Sequence, residues 1–248
     1  MVFKGATGLL DRLAAKEEGL VNEVKFVGDE TLADRAIALL DSGAWPDPEY
    51  PVGRIHSIYF DGPDRRALAE KIDGDNLKQK VRIRWYERPA GSPGREIPVF
   101  IEIKLRVGAA RRKHRLTTMA PEAWISRTPL DDPELPAFLH RHAGGLAGGV
   151  PLHWVPAICI SYERRRYLCP QTGSRIAVDR RIEANRINAA LLPTVARVRL
   201  DRSLCEFKDR GGAPPPWALA LTQAGFRLRS FSKYGECMNQ ALNGGAPP

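Results

Sequence analysis

The sequence predicts an α+β protein, rich in strands and built as one domain. Two features of its 248 residues carry that expectation. Strand-like segments run from one end to the other with short helices inserted between them. Six of those segments alternate full charges with apolar residues at the two-residue period of a β-strand. No internal repeat and no linker longer than a loop divides the chain, so one domain is expected over 1–248, with its core at about 21–240.

The opening MVFKGATGLLDRLAAKEEGL reads as a short amphipathic helix. Charges interrupt it too often for a secretory signal, and no later run is long enough to cross a bilayer, so a cytoplasmic protein with no transmembrane segment of its own is expected. NEVKFVG follows as a strand, then DETLADRAIALLDSG as a helix with an acidic start and a glycine stop. GRIHSIYFDGPD is a strand ending in a turn, and RRALAEKI a helical turn leading to the strand KQKVRIRWYE. The Gly, Pro and Ser of ERPAGSPGRE make a hairpin loop before the strand PVFIEIKLRV. One or two short helices occupy PEAWISRTPLDDPELPAFLHRHAGGLAGG, with a glycine-rich end. Strands return in VPAICISYERRRYLC, RIAVDRRIEA, VARVRL and RSLCEFKD, before the corner GGAPPPW and a last helix around WALALTQAG.

With 43% hydrophobic and 27% charged residues the composition is that of an ordinary globular protein. Its 38 Lys+Arg against 29 Asp+Glu, net +9, call for an anionic partner. Cys159, Cys169, Cys205 and Cys237 lie too far apart for a CxxC pair and read as reduced structural thiols. The five histidines show no HExxH spacing, and neither a Walker A loop nor GxGxxG is present.

The strand alternation carries the chemistry. Lys80, Arg82 and Arg84 share one face of their strand, with Val81, Ile83 and Trp85 on the other. Glu102, Lys104 and Arg106 likewise oppose Ile101, Ile103 and Leu105, and Glu206 and Lys208 oppose Cys205 and Phe207. Glu23 and Lys25 stand against Val24 and Phe26; Tyr162, Arg164 and Arg166 fall together, as do Arg175 and Asp179 across Ala177. One such strand is what any sheet with a wet face shows. Six, rich in full charges with cations in excess, call for a charge-lined interior holding solvent and a multiply charged anion, because buried unpaired charges are costly. Arg forks and Lys point charges suit phosphate oxygens. The few carboxylates are then explained as holding Mg²⁺ or Mn²⁺ against the phosphates. With no nucleophilic Ser or Cys motif, this set points to phosphoryl chemistry by positioning and charge neutralisation. A nucleic-acid binder would place its cations on a helix or among exposed aromatics, and no specific nucleic-acid partner is expected.

SIYFD, RIRWY, FIEIK, SYERRRY, RIAVD, CEFK, PPPW and FSKY, in that order between about Glu23 and Gly235, resemble the VTC domain. This is the polyphosphate polymerase domain of the vacuolar transporter chaperone complex, in the triphosphate tunnel metalloenzyme superfamily with the CYTH phosphatases. The resemblance implies an antiparallel eight-stranded β-barrel tunnel with surrounding helices, which binds a triphosphate or polyphosphate chain with a divalent metal. Carried over to this chain, Arg82, Arg84, Lys104, Arg164 and Lys208 become the catalytic cations. Lys25, Lys113, Arg115, Arg175 and Lys233 become further phosphate ligands, joined by Lys80 from its place on the face of Arg82. Glu206 takes the role of metal ligand, with Glu102 and Glu23 as additional candidates; Tyr59 and Asp61 match the family motif as structural residues.

Two departures bear on activity. The ExExK signature of the tunnel phosphatases is met here by Val21, Glu23 and Lys25, without the first carboxylate, which suits the polymerase branch. The SPX domain and membrane helices of the eukaryotic polymerases are missing from this chain, whose Arg-, Ala- and Gly-rich composition reads as bacterial. The expectation is a phosphotransferase that adds the γ-phosphate of ATP to a polyphosphate chain. A metal-dependent triphosphatase and a non-catalytic polyphosphate-binding module stand as alternatives, and the oligomeric state is left open.

Overall fold

The computed structural model describes residues 22–68, 77–89, 92, 94–107, 110–143, 149–193, 195, 197–209 and 217–243. The segment expected as an N-terminal helix, the end of the RRALAEKI turn and most of the GGAPPPW corner lie outside them. Strands β1 (Asn22–Gly28), β2 (Trp45–Pro46), β3 (Val52–Asp61), β4 (Leu77–Tyr86), β5 (Glu96–Val107) and β6 (Ala110–Pro121) come first. After them come β7 (Val155–Leu168), β8 (Arg175–Ile187), β9 (Val198–Arg199), β10 (Ser203–Asp209) and β11 (Arg227–Leu228). The helices are α1 (Ala33–Asp41), α2 (Glu122–Arg127), α3 (Glu134–Ala143), α4 (Ala218–Gln223) and α5 (Lys233–Leu242).

The α+β class is as expected, and all the strands join one antiparallel sheet. Its order is β11-β1-β10-β8-β7-β3-β4-β5-β6, with β2 on β7 and β9 on β8. The barrel differs from the expectation in count and closure: there are eleven strands among the described residues, and no pairing there joins β6 to the β1 end. Four elements lie outside the sequence expectation: the two-residue strands β2 and β11, then β6 and α5. The run Arg111–Arg112–Lys113–His114–Arg115 hides the alternation of β6, and α5 is a short segment whose glycine and asparagine weaken a helical reading.

The apolar residues of the alternating strands face outward, where helices cover them. Val81, Ile83, Trp85, Ile101 and Ile103 pack with Ile125 of α2 and Leu135, Phe138 and Leu139 of α3. Phe26, Val178, Cys205 and Phe207 pack with Ala36, Ile37 and Leu40 of α1 and Leu221 of α4. Gly28 closes β1 against Phe226, whose ring would lie 2.9 Å from any Cβ there. With the convex face sealed by helices, the charged residues are left on the concave side. Register shifts at Tyr59/Phe60 and at two points along β7–β8 bend the sheet around that side.

Helix α5 fills one end of the concavity. Tyr234, Cys237, Met238 and Ala241 pack on Ile158, Ile160, Tyr162, Ile182 and Leu204. Its Ser232 N-cap accepts from Gly235 N, and the Tyr234 hydroxyl donates to Asp61 at 2.5 Å. Asp61 is fully buried and also accepts the backbone N–H groups of Gly62, Ala67 and Leu68. The Tyr234 ring stacks on Tyr59 with centroids 5.2 Å apart. One carboxylate thus ties the turn after β3 to the helix. Tyr234→Phe keeps the packing and deletes that bond, so it should lower stability by about 1–3 kcal/mol in denaturant unfolding. An unchanged midpoint would show that the Asp61 link contributes nothing.

Candidate polyanion site

The remaining concavity is a cavity of about 160 Å³, room for roughly ten waters. Its wall comes from the alternating faces identified in the sequence: Glu23 and Lys25 of β1, Lys80, Arg82 and Arg84 of β4, and Glu102 and Lys104 of β5. Tyr162 and Arg164 of β7 and Glu206 and Lys208 of β10 add to it, and Ser232 and Lys233 bring the start of α5 to it. Eight Lys or Arg side chains face three carboxylates in this lining, so the wall carries an excess of positive charge.

Two buried carboxylates hold the cations apart. Glu102 is fully buried and accepts Arg82 Nε at 2.6 Å and Arg115 Nε and Nη2 at 2.9 and 2.6 Å. Lys113 stands 3.5 Å away and Arg84 3.9 Å. Burial disfavours its charged form, but Arg82, Arg84, Arg115 and Lys113 outweigh that and hold its carboxyl well below the usual range. Asp179, also fully buried, accepts both arms of Arg164 at 2.5 and 2.7 Å and lies 2.5 Å from Lys233. The Lys233 ammonium sits 4.5 Å from the Tyr162 ring centroid. Arg84, 8% exposed, donates to Ser57 Oγ at 3.2 Å and to the Tyr162 hydroxyl at 3.3 Å, and Arg82 donates to the Tyr59 hydroxyl at 3.0 Å.

The third group lies where β1 meets β10. Lys25 is paired with Glu23 and donates to Phe231 O at 3.4 Å; Lys208 stands 3.4 Å from Glu206 and 3.9 Å from Glu23. Burial works against ionisation of Glu206, yet Lys208, Arg164, Lys233 and Lys25 hold its carboxyl far below the usual range. Lys80 donates to Ser232 Oγ at 3.1 Å. Lys104 differs from all of these: among the described residues no hydrogen bond or ion pair holds its ammonium. It reaches the water of the cavity, yet the surrounding wall, with Arg82 and Lys208, pushes its pKa down to about 7.

The five cations expected at the centre, Arg82, Arg84, Lys104, Arg164 and Lys208, all line one cavity, as do Lys25, Lys80 and Lys233. Lys113 and Arg115 stand behind Glu102 instead. Arg175 is exposed at the start of β8, opposite Lys208, outside the lining. Asp179, Tyr162, Ser57 and Ser232 are contacts that reading the strands one at a time does not assign. Asp179 does show its face through its spacing from Ala177 and Arg175.

The metal candidates separate. Among the described residues no three His, Cys, Asp or Glu gather into a metal-holding group. Both oxygens of Glu102 are taken by guanidinium groups, which a cation there would have to displace. Glu206 and Glu23 share Lys208 and raise each other's proton affinity, a two-carboxylate set that fits a hard ion completed by phosphate and water oxygens.

The site is thus the concave face of a sheet lined with cations, with Glu23 and Glu206 close together at one side. Residues 23–142 match the family model of the VTC domain. No curated protein matches the chain. Among solved structures it is similar to a candidate adenylate cyclase from Bacillus halodurans, at 14% identity over 83% of this chain and 87% of that one, TM-score 0.42. Another, from Vibrio parahaemolyticus, shares 11% identity over 90% of this chain and 99% of that one, TM-score 0.45.

An anion bound beside Lys104 favours its charged form, so binding takes up a proton. Proton uptake by the protein on binding tripolyphosphate should therefore be present above pH 7 and fade below it. Lys104→Arg, charged throughout, should abolish that uptake in calorimetry repeated in buffers of different ionisation enthalpy. The same proton uptake in Lys104→Arg would remove Lys104 as its source.

Proposed function

We propose that the chain is a polyphosphate polymerase-type phosphotransferase that joins the γ-phosphate of ATP to a phosphate chain lying in the cavity. The observation that carries this reading is the run of inward cations held in place by Glu102 and Asp179, with Lys104 lacking any partner of its own among the described residues. A phosphate chain is a ligand with charge at every unit, able to meet cations from five strands at once. Its terminal oxygen is already anionic, so its attack on the γ-phosphorus, which breaks the bond to the β,γ-bridging oxygen and releases ADP, needs no strong general base. Arg82, Arg84, Arg164 and Lys208 align the two phosphates and neutralise the charge that develops. The N-terminus of α5, with Lys233 in its first turn, adds a positive dipole end. Glu206 and Glu23 would hold a divalent ion, Mn²⁺ or Mg²⁺, which supplies further neutralisation at phosphate oxygens. No helix among the described residues is long and apolar enough to cross a membrane.

Incubation of the protein with ATP and Mn²⁺, followed by sizing of the phosphate products, should show chains longer than triphosphate. Release of free phosphate alone would replace the transferase with a hydrolase. Glu206→Gln should abolish turnover and leave metal-free tripolyphosphate binding intact, because a carboxylate helps the chain only through the ion. Arg84→Ala should weaken that binding itself by about 1.5–3 kcal/mol. Full turnover in Glu206→Gln would remove the metal role from that residue.

A further inference from the structure

Beyond Arg84 and Arg164 the concave face continues for one more rung. Tyr86 follows Arg84 on β4, Arg166 follows Arg164 on β7, and Phe100 of β5 lies opposite Arg84. The rings of Tyr86 and Phe100 meet edge to face at 5.7 Å. Arg166 lies over Tyr86, its Cζ 5.5 Å from the ring centroid, and Arg115 lies over Phe100 at 4.8 Å. Arg166 Nη1 donates to Tyr50 O at 2.9 Å, which pins the guanidinium on the ring. No carboxylate among the described residues pairs with it, in contrast to Arg82 and Arg164. The side chain is half-buried, and Tyr50 and Trp45 beside β7 are exposed. In the other direction the register runs through Lys80, Lys104 and Lys113. These are point charges that suit phosphate and offer no plane for a ring.

We propose that the Tyr86–Arg166 rung is the nucleoside end of the cavity: a nucleobase stacks on the Arg166 guanidinium, and the triphosphate runs from there past Arg84 and Arg164 towards Lys104. This rests on the reading of the cavity as a phosphate-chain site and adds its polarity. Planar guanidinium groups and aromatic rings are the surfaces on which bases stack, and such stacking tolerates any base. The lysine end is then where a phosphate chain without a base enters. The γ-phosphate faces that chain across the middle of the cavity.

The test compares ATP with ribose 5′-triphosphate, which carries the same phosphates and no base. ATP should bind roughly 5- to 100-fold more tightly, with GTP and CTP within a few-fold of it. Arg166→Lys keeps the charge and loses the plane, so it should bring the ratio of ATP to ribose triphosphate towards one. Saturation-transfer NMR on the unaltered protein should place the base protons of ATP among the most strongly saturated. Equal affinity for the two triphosphates, or base protons without saturation, would overturn the proposal, while bound tripolyphosphate in the same experiment would leave the phosphate reading standing. An equal loss for both ligands in Arg166→Lys would make Arg166 a phosphate contact and also overturn it. Failure of all three anions to bind would remove the phosphate reading itself, and the polarity with it.

Discussion

Cations gathered on the concave side of a sheet repel one another, and in this molecule Glu102 and Asp179 stand between them. Each is fully buried and each is saturated with donors: Glu102 by Arg82 and Arg115, with Lys113 and Arg84 near, and Asp179 by Arg164 and Lys233. Burying either side of these pairs alone would cost several kcal/mol, and removing a carboxylate would leave two or more buried cations opposed only by each other. The carboxylates also fix direction. Bidentate and fork contacts hold the guanidinium groups of Arg82 and Arg164 in one orientation, so that little side-chain freedom is lost when an anion arrives.

Every other feature of the fold follows from placing polar groups inside and apolar groups outside a curved sheet. The convex face needs cover, and α1 to α4 supply it through two apolar clusters. The concave face needs a floor, and α5 supplies it, packing its apolar side on β7 and β8 while its first turn presents Ser232 and Lys233 to the cavity. The Asp61–Tyr234 bond and the Tyr59–Tyr234 stack couple that floor to β3, and Tyr59 in turn receives Arg82. The anchoring of the helix and the aim of a central arginine are thus parts of one connected arrangement.

The inward faces of β1, β4, β5, β7 and β10 were legible because side chains alternate strictly along a strand, so charge parity alone sorts them. What parity cannot supply is cross-strand distance. Glu102 reads as a metal candidate from its position on β5, and only the register that sets it between Arg82 and Arg115 shows its oxygens to be occupied. The same lack hid the role of Asp179, whose partners Arg164 and Lys233 come from β7 and α5. Arg175 has the right parity and lies too near its strand end to reach the cavity. β6 escaped because five successive basic and imidazole side chains give no contrast between its faces. Helix α5 escaped because its stability comes from packing in the concavity, which local propensity does not record.

The central claim is that these inward cations form one preorganised site for a phosphate chain. A crystal structure determined with tripolyphosphate tests it most directly. The account predicts the anion in the cavity, with phosphate oxygens within hydrogen-bond distance of Arg84, Lys104 and Arg164 and with the Glu102 and Asp179 pairs unbroken. Tripolyphosphate bound on the outer face beside an empty cavity, or bound inside only after Arg82 leaves Glu102, would contradict it.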